Sequence, residues 1–409
     1  MGRMGQIGPM EIPSGLGRIL MNLQMVVRRM GWIFAFLSVL PTGLVEAGGF
    51  QVTDSGDPVH WDTHGGKIFY RVDQGPLGPF SNAEAVEQVR MAFRIWQSVP
   101  TSTVSFQHDG FLGDDVSDEN AHEHLQIPAD DINPVVLDTD GLIIDLLQGV
   151  GARYTYLGIT QSYVETGGRI IGADIIINGM NCASGEQGKQ ALLATIVHEV
   201  GHFLGLSHSQ LNHSFWNDGD TENDRYLPTM FPIRSDDDSS LADLNPDDIF
   251  SLSWLYPADS FWSSMGGIAG TVIRRSGYPV QGASVMARKM DDPYMTAISC
   301  VSDFLIGGTG EFEIYGLPYG LYKVEVEPIN PLFHGSAAVG PFAENPYSES
   351  FVDPILPECY NGPRESSDPA TDDPKDFEAV QVELGETTEV EIIANEGQVG
   401  VGGWAIHQP

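Results

Sequence analysis

Residues 198 to 209 read HEVGHFLGLSHS, three histidines and a glutamate close together. On a helix His198 and His202 lie four residues apart on one face, about a turn from each other. That separation suits two imidazole ligands of a tetrahedral Zn²⁺. Glu199, beside the first ligand, can reach a metal-bound water without itself ligating. Gly205 tolerates backbone angles that residues with a Cβ avoid, so the chain can turn there and return His208 as a third nitrogen ligand. Three protein ligands leave one position open for water, which is the form of a catalytic rather than a structural zinc site. HExxH alone arises by chance on amphipathic helices; the extended HExxHxxGxxH pattern, broken by glycine at the required place, is far more specific.

Several elements must hold these residues in place. QGKQALLATIVHEVGHFLGL predicts one long helix that Gly205 stops. Ahead of it, KIFYRV alternates as a strand. AEAVEQVRMAFRIWQSV sets Val86, Val89, Ala92, Phe93 and Trp96 on one helical stripe, and TVSF follows as a short strand. Residues 107 to 150 are acidic and loop-like, apart from a helix at GLIIDLLQG; GGRIIGADIIIN is another strand. After the polar stretch that leads to LPTMFP, LNPDDIFSLSWLYP predicts a helix. Asn245 is its N-cap, Pro246 takes the first position, and Asp247 and Asp248 favour the helix dipole.

From about Gly266 the periodicity changes to two. GIAGTVI, GASVMARK, GEFEIYGL and GLYKVEVEP are short alternating strands, and VQVELGETTEVEIIA reads as one more hairpin closing the same sandwich. NGPRESSDPATDDPKD reads as loop. The chain therefore divides into 1–47, a secretory signal with an N-terminal extension; 48–262, the domain of the histidine motif; 263–397, an all-β sandwich; and 398–409, a tail.

The histidine motif resembles that of the metzincin peptidases, whose zinc site is underlaid by a methionine-containing turn. LPTMFP supplies Met230, 22 residues past His208. Ser209 after the third histidine resembles the matrixin branch, where astacins carry glutamate, reprolysins aspartate and serralysins proline. GGRIIGADIIIN and DDIFSLSWLYP also look matrixin-like, so the resemblance covers residues 59 to 257. It implies an α+β catalytic domain, a mixed twisted sheet with a long active-site helix. It implies a secreted zinc endopeptidase acting on protein or peptide substrates, with His198, His202 and His208 on one Zn²⁺ and Glu199 as general base. Met230 packs beneath the metal, and Pro232 and Ile233 wall the pocket for the side chain after the cleaved bond. The substrate lies antiparallel to the edge strand in GGRIIGADIIIN. The C-terminal strands resemble the transthyretin-like regulatory sandwich found beside carboxypeptidases, which implies an accessory role in binding a substrate or a surface. The alternative is an inactive metzincin scaffold whose sandwich is the binding or adhesion module; the presence of all three ligands, Glu199 and Met230 favours the enzyme.

The pattern departs from the family in places. No cysteine precedes Trp61, so the propeptide cysteine that keeps animal matrixins latent is absent. The family's structural zinc site is matched only faintly by His122 and His124, which read better as a solvated loop. Asp138-Thr139-Asp140-Gly141 with Asp145 resembles a fragment of a Ca²⁺ loop, lacking the closing glutamate; the competing reading is a turn followed by a capped helix.

Charge and chain ends narrow the setting. Acidic residues outnumber basic ones 56 to 20, a surface that repels nucleic-acid phosphates and anionic membranes. Arg28 and Arg29 precede the apolar run GWIFAFLSVLPTGL, and Val45-Glu46-Ala47 places small residues where a signal peptidase would cut. Met21 and Met25 are alternative starts. The run is short and contains Pro41, a poor membrane span, so the mature protein is expected to be secreted and unanchored. Of three cysteines, Cys182, Cys300 and Cys359, the last two are the expected disulfide pair because they fall in one domain.

Overall fold

The computed structural model describes residues 49–63, 66–126, 132–233, 241–333, 335–340, 355–372 and 375–395. The expected secretory signal lies outside the described residues. No helix among the described residues is long and apolar enough to cross a membrane. The fold is mixed α and β, and the described residues belong to one compact unit, Leu44–Pro409.

The first sheet is built from β1 (His60–Trp61), β2 (Ile68–Val72), β3 (Phe106–Phe111), β4 (Pro134–Asp138), β5 (Gly158–Val164) and β6 (Arg169–Asn178). Its order is β1-β6-β4-β2-β3, all parallel, with β5 antiparallel to β6. Helix α1 (Asn82–Gln97) carries the expected stripe, with Val86, Val89, Ala92, Phe93 and Trp96 all buried, and a capping box from Ser81 and Glu84 starts it. Helix α2 (Leu142–Gln148) follows β4. Helix α3 (Gly185–Phe203) carries the histidine motif and packs against α1, β5 and β6.

One strand lies where the sequence reads as loop, and another in a stretch to which the sequence assigns no element. PVVLD forms β4, buried at every position, and GITQSYV forms β5. β4, a short parallel strand covered on both faces, shows an apolar run with no alternation, and β5, antiparallel and only partly buried, mixes polar and apolar residues without alternating, so neither carries a periodic signal. The third strand is also shifted, running from Phe106 to Phe111 rather than over TVSF. Consequently β6 is not an edge: Ile175 to Asn178 pair with β4 on one side, and Ile175 to Ile177 pair with β5 on the other. The outer strand on that side is β5.

Helix α4 (Pro246–Leu255) begins as expected, the Asn245 side chain accepting from the Asp247 amide. A short helix, α5 (Phe261–Ser264), leads into the C-terminal strands: β7 (Gly266–Ile273), β8 (Ala283–Lys289), β9 (Ala297–Val301), β10 (Glu311–Leu317), β11 (Gly320–Pro328), β12 (Glu358–Cys359), β13 (Val380–Val382) and β14 (Thr387–Ile393). One sheet runs β10-β7-β14 and the other β12-β11-β8-β9, with β13 also on β11. The expected final hairpin is not formed. β13 joins β11 antiparallel while β14 joins β7 parallel, so the two strands close different sheets. The turn between them, with Gly385 at φ +72°, carries the chain from one sheet to the other instead of folding it back.

The expected disulfide is also corrected. Cys300 lies on β9 and Cys359 on β12, with β8 and β11 between them. Three strand spacings of about 4.8 Å place their backbones well beyond the roughly 7 Å limit of a disulfide.

A single buried apolar cluster runs through both regions, from Phe93, Trp96 and Phe203 to Phe304, Phe312 and Tyr322. Phe50 stacks on Trp254 at 4.3 Å and meets Phe304 edge-on at 5.7 Å, linking the first residues described to both α4 and the sandwich.

Candidate metal centre

The C-terminal end of α3 is pinned from three sides. Trp96 donates its indole N–H to the Val197 carbonyl at 2.8 Å, Trp61 to the Phe203 carbonyl at 2.7 Å, and the Tyr256 hydroxyl to the Leu204 carbonyl at 2.6 Å. The last two satisfy carbonyls that the helix end leaves without intrahelical partners, while the first ties the turn ahead of it to α1. The chain then reverses at Gly205, φ +87°, where a Cβ would lie 2.2 Å from the Val59 carbonyl oxygen. No other residue fits there.

The reversal brings three imidazoles together. The Nε2 atoms of His202 and His198 lie 3.1 Å apart, those of His202 and His208 3.1 Å, and those of His208 and His198 3.3 Å. Each Nδ1 faces a backbone carbonyl: His198 that of Thr229 at 2.8 Å, His202 that of Leu206 at 2.9 Å, and His208 that of Ala338 at 3.1 Å. A carbonyl can only accept, so each Nδ1 carries the proton and each Nε2 points a bare lone pair at the other two. Burial pulls His198 down to about 3, helped by the neighbouring His208, and pulls His208 down to about 4. Desolvation of the charged ring is the main cause in both. The neutral form is favoured, so in the metal-free protein the ring resonances of His198 and His208 should not titrate between pH 8 and 5 in an NMR series. A midpoint near the ordinary value of about 6.5 would show that the cluster opens to water when empty.

Glu199 is 6% exposed. The Thr160 hydroxyl, on β5, lies 2.7 Å from Glu199 Oε2 and 3.0 Å from the Glu199 carbonyl oxygen. A Cβ at Gly158 would fall 2.7 Å from Glu199 Oε1, so the absence of a side chain lets β5 approach the carboxylate.

Met230 is 2% exposed, and its sulfur would meet a Cβ on Gly201 at 2.2 Å, so it packs directly against the helix turn between the two ligands. The loop that holds it is tied down by Asp248, which accepts from the amides of Thr229, Met230 and Asn245 at 2.9, 3.0 and 3.0 Å. Burial raises Asp248 to about 7, with the charge of Asp247 adding to the shift. Ser209 sits behind the third ligand; its amide donates to the Met230 carbonyl at 2.9 Å and its hydroxyl to Asp247 at 2.5 Å. Asp247 in turn accepts from the Ser299 amide, on β9, at 2.6 Å. A helix-dipole role for these two aspartates is therefore too small: they also fix the turn under the metal site and join it to the sandwich. Pro232 and Ile233 follow Met230 half-buried, Ile233 packing on the core.

The remaining expected residues are not gathered. Asp138 accepts from the Ile144 amide and Asp140 from the Leu142 amide, while Asp145 accepts from the amides of Gly151 and Arg153. Each serves as a turn or helix-end acceptor. His124 pairs with Asp114 at 2.7 Å, and exposed His122 lies 3.8 Å from Glu123. Among the described residues, His198, His202 and His208 are the one group of three or more His, Cys, Asp or Glu side chains close enough to hold a metal ion. The residues that the motif did not reveal are Thr160, Gly158, Asp247, Asp248 and Ala338. Backbone carbonyls and isolated hydroxyls carry no sequence signature.

No protein-family model and no curated protein matches the chain. Two solved structures show partial likeness. A candidate carbohydrate-binding protein from Bacteroides uniformis is 13% identical over 31% of this chain and 40% of its own, with a TM-score of 0.17. The dioxygenase domain of a dioxygenase–carbohydrate-binding fusion from Streptomyces sp. SirexAA-E is 14% identical over 34% of this chain and 85% of its own, with a TM-score of 0.18. The chain thus spans less than half of the first of these, and likenesses at such scores carry no argument about fold or activity.

Proposed function

We propose that the chain is a secreted, matrixin-like zinc endopeptidase of the metzincin type, its C-terminal strands a transthyretin-like sandwich built against the catalytic region. The observation that carries this reading is the triangle of Nε2 atoms. Ligands about 2.0–2.1 Å from a tetrahedral Zn²⁺ stand roughly 3.3–3.4 Å from one another, close to the separations of His198, His202 and His208. Three neutral lone pairs aimed at one point repel unless a cation lies between them, and an all-imidazole set suits zinc among the common biological metals. Export is supported by the N-terminal sequence pattern alone.

Bound there, Zn²⁺ supplies a Lewis acid and an acidified water. The chain supplies the rest. Glu199 is the one carboxylate beside the cluster on α3 and takes up a proton in the forward step, returning it to the leaving amine. Thr160, donating to Oε2, orients the carboxylate. The outer edge of β5, rather than β6, accepts an extended substrate as an added strand, main-chain hydrogen bonds giving affinity.

The test is zinc content and cleavage of a quenched-peptide library by the purified chain. About one zinc per chain with peptide cleavage supports the reading; a zinc-replete chain inert towards every peptide overturns it. The geometry makes a sharper demand on Gly158→Ala. The added methyl would push the Glu199 carboxylate aside without touching a ligand, so zinc content should hold while kcat falls about 10²-fold. Loss of zinc in that variant would show that β5 positions the ligands instead.

A further inference from the structure

We propose that a second cation site, for Ca²⁺, lies in the sandwich, formed by Glu358, Asn361, Asp372 and Asn395. The stretch that holds two of these residues reads as plain polar loop in the sequence, yet the four side chains are 3%, 2%, 1% and 0% exposed. They form one connected group. Asn395 donates its amide to Glu358 Oε2 at 3.0 Å and its side-chain nitrogen to the Asp372 carbonyl at 3.5 Å. The Asn361 side-chain nitrogen donates to Asp372 Oδ1, and the Ser366 amide to Asp372 Oδ2 at 2.8 Å. Glu365 stands alongside, its two oxygens taken by the amides of Asn361 and Ile393 at 2.6 and 2.9 Å.

Three buried oxygens in this group meet no hydrogen-bond donor: Glu358 Oε1, Asn361 Oδ1 and Asn395 Oδ1. Buried polar atoms are seldom left this way, because each lost hydrogen bond with water goes unreplaced. Three orphans of one kind, all acceptors, in one acidic cluster need something that accepts lone pairs. Protonating Glu358 does not supply it. The cluster's burial and the charges of Glu365 and Asp372 push that acid up to about 9, but a hydrogen on Oε1 would have no acceptor. A cation satisfies all three oxygens and offsets the carboxylate charge together. The donor set is wholly oxygen, carboxylate and amide carbonyl, which suits a hard ion, and six to eight ligands including water are usual for Ca²⁺. The site ties β12 and the loop after it to the chain just beyond β14, so occupancy locks the C-terminal end of the sandwich.

The full chain, saturated with zinc and dialysed free of calcium, is titrated with calcium chloride and followed by calorimetry and thermal unfolding. At roughly a hundredfold excess over Kd the midpoint should rise by about 3 °C or more. In Glu358→Gln, which keeps an oxygen for the Asn395 amide, that rise disappears. Because one buried like charge is gone, the calcium-free midpoint of this variant should equal or exceed that of the parent. Asn395→Ala removes a neutral oxygen and should weaken binding at least tenfold. No response of the parent up to about 10 mM calcium, or an undiminished response in both variants, overturns the site. An equal rise with magnesium chloride overturns its assignment to Ca²⁺.

Discussion

Replacing Glu199 with glutamine is expected to cut peptide cleavage by about 10²- to 10⁴-fold while leaving zinc content unchanged. Glutamine has the shape of glutamate but cannot take a proton, and the ligand nitrogens belong to other residues. The side chain is buried and one of its oxygens is bonded to Thr160, so the amide can keep the same position by accepting from Thr160 through its carbonyl oxygen. The loss should therefore fall on kcat, with KM little altered, because the group acts on the proton and not on substrate binding. Cleavage rates and zinc content measured on the same preparation decide it. Equal activity in the two proteins would remove Glu199 from the mechanism and, with it, the proposed reaction.

Truncation after residue 262 is expected to cripple zinc binding, although every proposed ligand lies upstream of the cut. A self-sufficient N-terminal domain with an accessory sandwich predicts the opposite. The structure places the carbonyl of Ala338, from the sandwich region, 3.1 Å from His208 Nδ1, and such outer partners commonly set about 10- to 100-fold of metal affinity. Ser209 and Asp247 share Ser299, Gln210 donates to Glu327 at 2.7 Å, and Phe333 meets Phe231, the residue after Met230, at 5.5 Å. The cut would leave Asp247 buried beside empty space or newly wet, and would expose one face of the shared core. The truncated protein should be insoluble or should bind zinc at least tenfold more weakly than the full chain, as competition with a chromophoric chelator would measure. A soluble fragment with full zinc affinity and activity would show that the sandwich contacts are incidental to the site.

The three-histidine cluster was legible from sequence because helical spacing and one glycine turn bring all three together locally, within ten residues. Met230 was legible for the same reason, as a short motif of defined offset. The α1 stripe and the capped start of α4 also followed from local rules, and both are present as expected. Outside such local patterns the reading weakened. β4 and β5 escape the pattern because neither alternates, and without β5 the strand β6 reads as an edge although it is paired on both sides. The disulfide between Cys300 and Cys359 was inferred from a shared region, but sheet order, which no spacing encodes, puts two strands between them.

Local sequence rules alone dictate which nitrogens meet, which carboxylate stands beside them, and where the backbone must bend. Those depend on interactions within one helix and its terminal turn. How the cluster is held depends on long-range packing. The proton on each Nδ1 is fixed by a backbone carbonyl, and those facing His198 and His208 come from 31 and 130 residues away. Glu199 is oriented by a threonine on a strand that no periodicity announces, and the turn beneath the histidine cluster is fastened by two buried aspartates. Backbone carbonyls are the same in every residue, and hydroxyl and carboxylate partners are chosen by which surfaces pack together. That information is global, and it becomes visible only when the two regions share one core.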